Sequence, residues 1–232
     1  MKAVILAAGK GERLKEITAQ IPKPMIEYEG KPILQHNIEL CKKFGIDEIF
    51  INTHHLAEVI QNYFGDGSSF GVTIRYSLEK TLLGTSGAVK NFKSFIGSDP
   101  FFVIYGDNYS NYNLQLLRQA YQNKNAMGII GFHWREDTAA SGVAEFSDDG
   151  LITRFIEKPK VGESESHWVN AGVYFFNPKI MDFIPTGFSD FAKDIFPQLL
   201  TAGEHLYGVC SKANVRAFDT PEMFNQSMNL NN

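Results

Sequence analysis

The chain has 232 residues, of which 44% are hydrophobic and 21% charged, and its formal net charge is −4. This balance excludes disorder as the main state, because the apolar content is too high and the net charge too low. It also argues against a dedicated nucleic-acid binder, since such domains usually carry a basic surface.

The N-terminal segment and the cysteines indicate a cytoplasmic protein with no membrane contact. The apolar run from Ala3 to Ala8 is too short to cross a bilayer and is broken at once by Gly9, so it predicts a buried strand rather than a signal peptide. Cys41 and Cys210 cannot form a disulfide framework, and no Cys/His cluster indicates a zinc site. A reducing compartment fits this cysteine usage.

Strand-like and helix-like segments alternate along the first half of the chain. In order, the patterns predict a strand at 3–7, a helix at 32–44, a strand at 48–52, a helix at 56–64, a strand at 72–76, a helix at 86–95, a strand at 101–105 and a helix at 114–123. Such an order predicts a parallel sheet wrapped by helices. Ligands of open α/β sheets bind outside the carboxyl ends of the strands, so the loops there are the candidate site.

The second half contains more strands and shorter turns. We expect strands at 127–134, 143–146, 152–157, 172–176 and 206–209, and a helix at 191–200. No linker-like stretch separates the halves, so we predict one mixed α/β domain over 1–232. Residues 1–125 are its expected nucleotide-binding half and residues 126–232 its expected second-substrate half.

A glycine loop follows the first strand. Gly9 and Gly11 let the backbone approach a ligand and point N–H groups at phosphate, and Arg13 adds a forked cation. A dinucleotide fingerprint is excluded because Leu14 stands where its third glycine belongs, and a Walker A loop is excluded because no Gly-Lys-Ser/Thr exists. A tight turn with an exposed arginine is the simpler alternative.

A second cation follows between two prolines. Pro22 and Pro24 stiffen the backbone on either side of Lys23, which predicts a rigidly presented ammonium group. The simpler alternative is a solvated lysine in an extended connector. Together, the run from Leu6 to Leu14 and the later Pro22-Lys23-Pro24-Met25 resemble the N-terminal motif of the sugar-1-phosphate nucleotidylyltransferases, also called nucleotide-sugar pyrophosphorylases.

That resemblance implies a fold, a reaction and a set of contacts. The implied fold is Rossmann-like, with a mixed, mainly parallel sheet flanked by helices, as in nucleotide-diphospho-sugar transferases. The implied reaction joins an NTP to a sugar 1-phosphate and releases pyrophosphate. Arg13 and Lys23 would contact the triphosphate and act in catalysis. The resemblance places the nucleotide against Leu6, Ala7, Ala8, Gly9 and Gly11.

Later motifs extend the implied nucleotide site. Leu83-Gly84-Thr85-Ser86-Gly87-Ala88 is similar to the family's segment beside the base, so Gly84 and Thr85 are expected nucleotide contacts. Glu79 lies where the family often places a base-reading residue. Asp107 follows a buried strand, as the family's catalytic magnesium ligand does, and Mg²⁺ prefers one or two carboxylates with phosphate oxygens. A capping threonine and a turn aspartate are the simpler alternatives.

Three further motifs resemble the family's sugar-phosphate site. Gly142 lies in a segment similar to the strand that the sugar approaches, although Ser141 precedes it where the family has tyrosine. Glu157-Lys158-Pro159 matches the family's Glu-Lys-Pro, with the carboxylate facing sugar hydroxyls and the ammonium the phosphate. Asn170 begins an Asn-Ala-Gly strand and is a further expected sugar contact.

The chain departs from the family at the second metal ligand. The family usually has Asp-Ile-Gly-Thr-Pro near its end, and alignment on Thr-Pro puts Ala217 at the aspartate position. Some cytidylyltransferases of the family have a Met-Asp-Thr arrangement, so we expect Asp219 to serve as the second Mg²⁺ ligand. If it does not, the alternative is a non-catalytic module that senses nucleotides or sugars.

The substrates we favour are GTP and a mannose- or heptose-type sugar 1-phosphate. The run from Leu82 to Lys90 is most similar to guanylyltransferases, whereas Asp219-Thr220 is similar to cytidylyltransferases, and uridylyl or thymidylyl transfer stays open. The sequence does not decide the oligomeric state, and a homo-oligomer is one option.

Overall fold

The computed structural model describes residues 1–229, apart from the side chains of residues 15, 16 and 229. The strands are β1 (Lys2–Leu6), β2 (Glu27–Tyr28), β3 (Lys31–Pro32), β4 (Glu48–Thr53), β5 (Thr73–Leu78), β6 (Phe101–Tyr105), β7 (Asn108–Ser110), β8 (Gly128–Trp134), β9 (Gly142–Phe146), β10 (Ile152–Glu157), β11 (Trp168–Phe176), β12 (Leu206–Ser211) and β13 (Val215–Ala217). The α-helices are α1 (Lys15–Thr18), α2 (Ile33–Lys43), α3 (Ala57–Phe64), α4 (Gly84–Lys90), α5 (Lys93–Ile96), α6 (Leu114–Gln122), α7 (Phe196–Thr201) and α8 (Pro221–Asn229). The predicted class, a mixed and mainly parallel α/β fold flanked by helices, is confirmed.

The fold consists of two compact units. The first unit contains residues 1–82, 104–111 and those from 214 onward, and the second contains residues 83–103 and 112–213. The units interleave along the chain, so they differ from the two consecutive halves that we defined by expected function. The assignment of those halves to nucleotide and sugar phosphate stays a prediction.

The first unit contains a parallel sheet with β4 in the middle. β4 pairs in parallel with β1 on one side and with β5 on the other. The register places Leu6 opposite Asn52 and Thr53 opposite Leu78, so the carboxyl ends of the three strands meet at one edge. The loop that follows β1 therefore begins beside the ends of β4 and β5.

A small antiparallel ribbon of the first unit was not predicted from the sequence. β7 pairs with β13, more than 100 residues later, and Ala217 lies opposite Asn108. Asn108 begins β7 and Ala217 ends β13, so the residues before Asn108 and after Ala217 lie at the same end of the ribbon. This pairing brings Asp107 and Asp219 to one place.

The second unit contains a mixed sheet over an aromatic core. β8 pairs in parallel with β12 and antiparallel with β11, while β9 pairs antiparallel with β10 and β11. Phe191 packs against Tyr174, Phe176 and Phe196, with ring centroids 5.1–5.8 Å apart. These rings fix the segment that begins at Asp190, which caps a π-helical turn over Phe191–Ile195.

Two elements show instructive differences from the predicted ones. The helix expected over 86–95 is two helices, α4 and α5, because α4 ends at Lys90 and Phe92 turns into the core, where it is 2% exposed. The strand expected from Gly172 begins at Trp168 and contains a register shift between Asn170 and Tyr174. Among the described residues, no helix has both the length and the apolar character to cross a membrane.

Candidate active site

The loop after β1 bends tightly against the segment that carries Lys23. Gly11 has a φ of +62°, and a Cβ there would lie 2.7 Å from Thr18 Cγ2 and 3.3 Å from Lys23 Cβ. Thr18 closes the bend by donating its hydroxyl hydrogen to the carbonyl oxygens of Gly11 and Leu14. Glycine at position 11 thus satisfies both the backbone conformation and the close packing.

The backbone of this loop can receive an anion. Among the residues that the structure describes, Gly9, Lys10 and Gly11 donate no backbone hydrogen bond to the protein. Gly9 and Lys10 are exposed, and a Cβ on Gly9 would lie 3.9 Å from Asp107 Oδ2. Consecutive N–H groups of this kind form a concave site for phosphate oxygens.

Lys23 is buried, so the alternative of a solvated connector lysine is wrong. Its side chain is 4% exposed and stands on a short 3₁₀ turn, Lys23–Met25, that begins after Pro22. Lys23 Nζ donates to Asp107 Oδ2 at 2.6 Å and also to Asp219 Oδ1. We call these three side chains the Lys23 cluster.

The ribbon explains why Asp219 rather than Ala217 belongs to this cluster. Ala217 is paired with Asn108 inside the ribbon, and Asp219 follows it by two residues at the end where Asp107 lies. Asn37 fixes the same end from α2, because its buried amide donates to the Asn108 carbonyl oxygen at 3.0 Å. The geometry therefore brings the expected pair of carboxylates together.

Charges in the cluster compensate one another. Burial would lower the pKa of Lys23, but the carboxylates of Asp107 and Asp219 outweigh it and raise that pKa above its usual value. Arg13 lies at the open side, with Nη2 3.7 Å from Asp219 Oδ1 and a side chain that is 62% exposed. Lys23 is thus a fixed cation, whereas Arg13 is a cation that can reach an incoming ligand.

The carboxylates of the cluster fit a magnesium ion. Asp107 and Asp219 aim oxygens at one common point and are 26% and 34% exposed, so ligand and water can reach them. Mg²⁺ is usually bound by one or two carboxylates, with phosphate oxygens and water completing the octahedron. Within the described part of the chain, no group of three or more His, Cys, Asp or Glu side chains is arranged to hold a metal.

Glu79 lies at the carboxyl-end edge of the same sheet. It is 4% exposed, and its Oε1 accepts a hydrogen bond from Asn52 Nδ2 at 2.8 Å. Asn52 Oδ1 in turn accepts from the Ala7 backbone N–H at 2.8 Å. One buried amide therefore links the predicted base-reading carboxylate to the predicted nucleotide loop.

The adjacent histidines, His54 and His55, both hydrogen-bond to the backbone. His54 Nδ1 lies 2.7 Å from the Glu79 carbonyl oxygen, and His55 Nε2 lies 3.0 Å from that of Thr18. His54 thus holds the backbone at Glu79, and His55 holds the end of the loop segment.

In the second unit, Gly84 and Thr85 begin α4 beside the segment from Ser189 to Phe191. Gly84 has a φ of +73°, and Thr85 Oγ1 donates to Asp190 Oδ2 at 3.0 Å. The same hydroxyl accepts from the Phe191 N–H at 2.8 Å. Thr85 therefore fixes Asp190 within this unit, and its contact with a base stays a prediction.

Gly142 and Glu157 face each other across β9 and β10. They are register partners, and a Cβ on Gly142 would lie 2.8 Å from Glu157 Oε2 and 2.7 Å from Phe155 Cζ. Burial raises the pKa of Glu157, and the negative charge of Asp190 raises it further. Because glycine has no side chain, position 142 leaves space for the Glu157 carboxylate.

The other two expected sugar contacts have local hydrogen bonds. Asn170 donates through Nδ2 to the Tyr174 hydroxyl at 2.8 Å and accepts through Oδ1 from the Gly172 N–H at 2.9 Å. Lys158 has a positive φ of +55°, and its N–H donates to the Ser141 carbonyl oxygen. Both roles toward a sugar phosphate stay predictions.

Sequence reasoning missed three residues that support these positions. Asn37, Asn52 and Asp190 hold Asn108, Glu79 and Thr85, respectively. Asn52 had a detectable signal, because it is a polar residue near the carboxyl end of a buried strand. Asn37 lies on a helix face that reads as apolar, and Asp190 resembles an ordinary helix cap.

Comparison with known proteins identifies the family. A family profile described as "Nucleotidyl transferase" matches residues 2–215. The chain belongs to the nucleotidyl transferase family. Relatives named as sugar-1-phosphate nucleotidylyltransferases confirm the resemblance drawn from the motifs.

Among curated relatives of this nucleotidyl transferase, a UTP–glucose-1-phosphate uridylyltransferase of Synechocystis sp. is 39% identical over 223 residues, or 90% of this chain and 58% of the relative. A mannose-1-phosphate guanylyltransferase of Mycobacterium tuberculosis is 31% identical over 224 residues, or 96% of this chain and 62% of the relative. The chain thus spans about three-fifths of the length of these relatives.

Solved structures show the same fold over nearly the whole chain. HddC from Yersinia pseudotuberculosis, solved with GMP-PN, is 25% identical with a TM-score of 0.82, and the match covers 100% of this chain and 99% of that one. A UDP-glucose pyrophosphorylase solved with UDP-glucose has a TM-score of 0.84 over 99% of this chain and 97% of its own, at 21% identity. The predicted nucleotide-diphospho-sugar transferase fold is confirmed.

Proposed function

We propose that this nucleotidyl transferase joins the nucleotidyl group of an NTP to a sugar 1-phosphate and releases pyrophosphate. GTP and a mannose- or heptose-type sugar phosphate are its proposed substrates. The observation that carries the proposal is the Lys23 cluster beside the glycine loop, with Arg13 at its open side. It combines phosphate-binding N–H groups, two cations and two carboxylates in one place.

The reaction we propose is an in-line displacement at the α-phosphorus. A sugar-phosphate oxygen forms the new bond to that phosphorus, the bond to the bridging oxygen of the β-phosphate breaks, and pyrophosphate leaves with the electron pair. The nucleophile is already an anion, so no general base is needed. The N–H groups of Gly9 to Gly11, together with Arg13 and Lys23, would align the phosphates and balance the developing charge. A magnesium ion at Asp107 and Asp219 would supply further charge neutralisation.

The chemistry of Glu79 supports guanine as the base. An ionised carboxylate only accepts hydrogen bonds, and guanine offers two neighbouring N–H donors on its Watson–Crick edge. Uracil offers one N–H between two carbonyl oxygens, cytosine one donor beside two acceptors, and adenine one donor beside one acceptor. A buried acceptor that Asn52 holds in place therefore favours guanine over the other bases.

Glu157 supports the sugar side of the proposal. The pKa of this carboxylate is raised by burial and by Asp190, so nearby cations do not fully offset its charge. Hydrogen bonds from neutral sugar hydroxyls would stabilise it. Gly142 opens the space beside it, and Lys158 would hold the sugar phosphate from the next position along the chain.

A substrate panel tests the reaction. We expect pyrophosphate release, in the presence of Mg²⁺, with GTP and mannose 1-phosphate or a heptose 1-phosphate, and at least about tenfold less with ATP, CTP or UTP. Release with UTP and glucose 1-phosphate would keep the reaction and overturn the base assignment. No release across the panel, with thermal stabilisation by a nucleotide or sugar phosphate, would instead favour the sensing module.

A single substitution tests the role of Glu79. Glu79→Gln keeps an oxygen that accepts from Asn52 but replaces the other oxygen with a donor, which complements uracil better than guanine. We expect kcat/KM for GTP to fall by about 10- to 100-fold and the ratio of UTP to GTP use to rise. Glu39→Gln, on the outer face of α2, is the matched control and leaves the ratio unchanged. An unchanged ratio in Glu79→Gln would refute base reading by this residue.

A further inference from the structure

In the Lys23 cluster, groups proposed to hold different parts of the substrate complex bind one another. Lys23 is a proposed phosphate contact, and Asp107 and Asp219 are proposed metal ligands. Yet Lys23 Nζ lies 2.6 Å from Asp107 Oδ2 and also contacts Asp219 Oδ1. The ammonium group therefore occupies the point at which both carboxylates aim.

Together with Arg13, the cluster is charge-balanced without any added ion. Asp107 and Asp219 contribute two negative charges. Lys23 lies within 4 Å of both carboxylates and Arg13 within 4 Å of Asp219, and they contribute two positive charges. Two carboxylates that face one point at a partly buried position repel each other and lose hydration, and a cation between them offsets both costs. In the free protein Lys23 thus neutralises the charges of Asp107 and Asp219, as a divalent cation would do in the complex with nucleotide.

We propose that Lys23 is a placeholder for the divalent cation, which keeps Asp107 and Asp219 assembled and competes with metal for them until a nucleotide is present. When metal and triphosphate bind together, the phosphates supply a new partner for the displaced ammonium group. This inference rests on the proposed function, because it describes how metal binding is regulated at the same site.

The exchange predicts that metal and nucleotide bind as a unit. A divalent cation alone would add two positive charges to a balanced cluster and leave Lys23 unpaired at a buried position, which is unfavourable. A triphosphate that arrives with the metal brings the negative charge that restores the balance. Free Mg²⁺ or Mn²⁺ should therefore bind weakly to the isolated protein.

The test measures binding of Mn²⁺ alone, by electron paramagnetic resonance, with no nucleotide or sugar. Lys23→Met keeps the length and apolar stem of the side chain but removes its charge. We expect it to bind Mn²⁺ at least about tenfold more tightly than the wild type. Lys31→Met is the matched control, because Lys31 forms a surface ion pair with Glu39 in the same unit, and its affinity should equal that of the wild type. Equal or weaker binding by Lys23→Met would overturn the proposal.

A second measurement needs no charge-removing variant. The ¹⁵N-labelled ammonium signal of Lys23 in the wild-type protein, assigned by its loss in Lys23→Arg, should change with the same midpoint as Mg²⁺ binding. A signal that stays unchanged at saturating Mg²⁺ would refute displacement. Because neither experiment contains substrate, a silent substrate panel would overturn the proposed reaction and leave the metal result standing.

Discussion

The carboxylates of the Lys23 cluster and the carboxylate of Glu157 lie in opposite electrostatic environments. Asp107 and Asp219 share one buried ammonium group and have Arg13 beside them. Glu157 lies half-buried near a second carboxylate, Asp190, and its pKa is raised by burial first and by that neighbour second. Lys158 and Lys193 only partly offset these two effects.

This contrast separates two kinds of recognition. Carboxylates that are already paired with an ammonium group can bind a metal ion only by releasing that group. Their affinity for the metal therefore depends on whether an anion binds with it and pairs with the released ammonium group. A carboxylate whose charge is only partly offset by nearby cations is instead stabilised by any neutral hydrogen-bond donor, and sugar hydroxyls are such donors. The first arrangement suits a charged metal–triphosphate complex and the second a sugar ring.

The largest effect should come from breaking the compensated cluster at Asp107. In Asp107→Asn the amide oxygen still accepts from Lys23, which also keeps Asp219, so we expect the melting temperature to stay within a few degrees of the wild type. One negative ligand for the metal is lost, and turnover should fall by about 10²–10³-fold. Steady-state pyrophosphate release with thermal unfolding of the same sample measures both.

Asp182→Asn is a suitable comparison for that variant. Asp182 forms an exposed ion pair with Lys93 at 2.9 Å, so its loss should change neither turnover nor melting temperature appreciably. Wild-type turnover in Asp107→Asn would contradict the catalytic role of the cluster.

A smaller effect should come from filling the space beside Glu157. In Gly142→Ala the new methyl group would meet Glu157 Oε2 and the Phe155 ring at less than 3.0 Å, so the carboxylate must move. We expect KM for the sugar phosphate to rise by about tenfold, while KM for the nucleotide in the same assay stays near its wild-type value. A rise confined to the nucleotide would show that the glycine serves the other substrate.

Elements with a strong local pattern were predictable from the sequence. The apolar runs of β1, β4 and β6 and the helical spacing of α2, which ends before Gly45 with a φ of +72°, are visible within short windows. The β7–β13 ribbon was not predictable, because its strands have three residues each and pair across more than 100 positions. Its existence depends on tertiary context rather than on local propensity.

The residues of the candidate site were predictable by type, but their partners were not. A lysine between prolines and an aspartate after a strand can be found by motif, and the sequence also pointed to Asp219 in place of Ala217. Nothing local reveals that Lys23 contacts both aspartates, since these lie 84 and 196 residues away. The supporting amides of Asn37 and Asn52 are hidden for the same reason.

The smallest expected effect concerns the cost of the Glu157 charge. A carboxyl group whose folded pKa is raised contributes stability that is fully present below its unfolded pKa, about 4.3 for glutamate, and that is lost as pH rises through the folded pKa. Glu157→Gln has no charge to desolvate, so it should melt slightly above the wild type at pH 7 and equally at pH values below about 4. Thermal unfolding across that pH range measures the difference.

Glu39→Gln is the control for this prediction. The pKa of Glu39 is lowered, despite the opposing effect of its partial burial, because Lys31 and Gln35 hydrogen-bond to it. Glu39→Gln should therefore not gain stability relative to the wild type as pH rises. A Glu157→Gln protein that is less stable than the wild type at pH 7 would mean that this carboxylate is compensated after all, and the contrast with the Lys23 cluster would disappear.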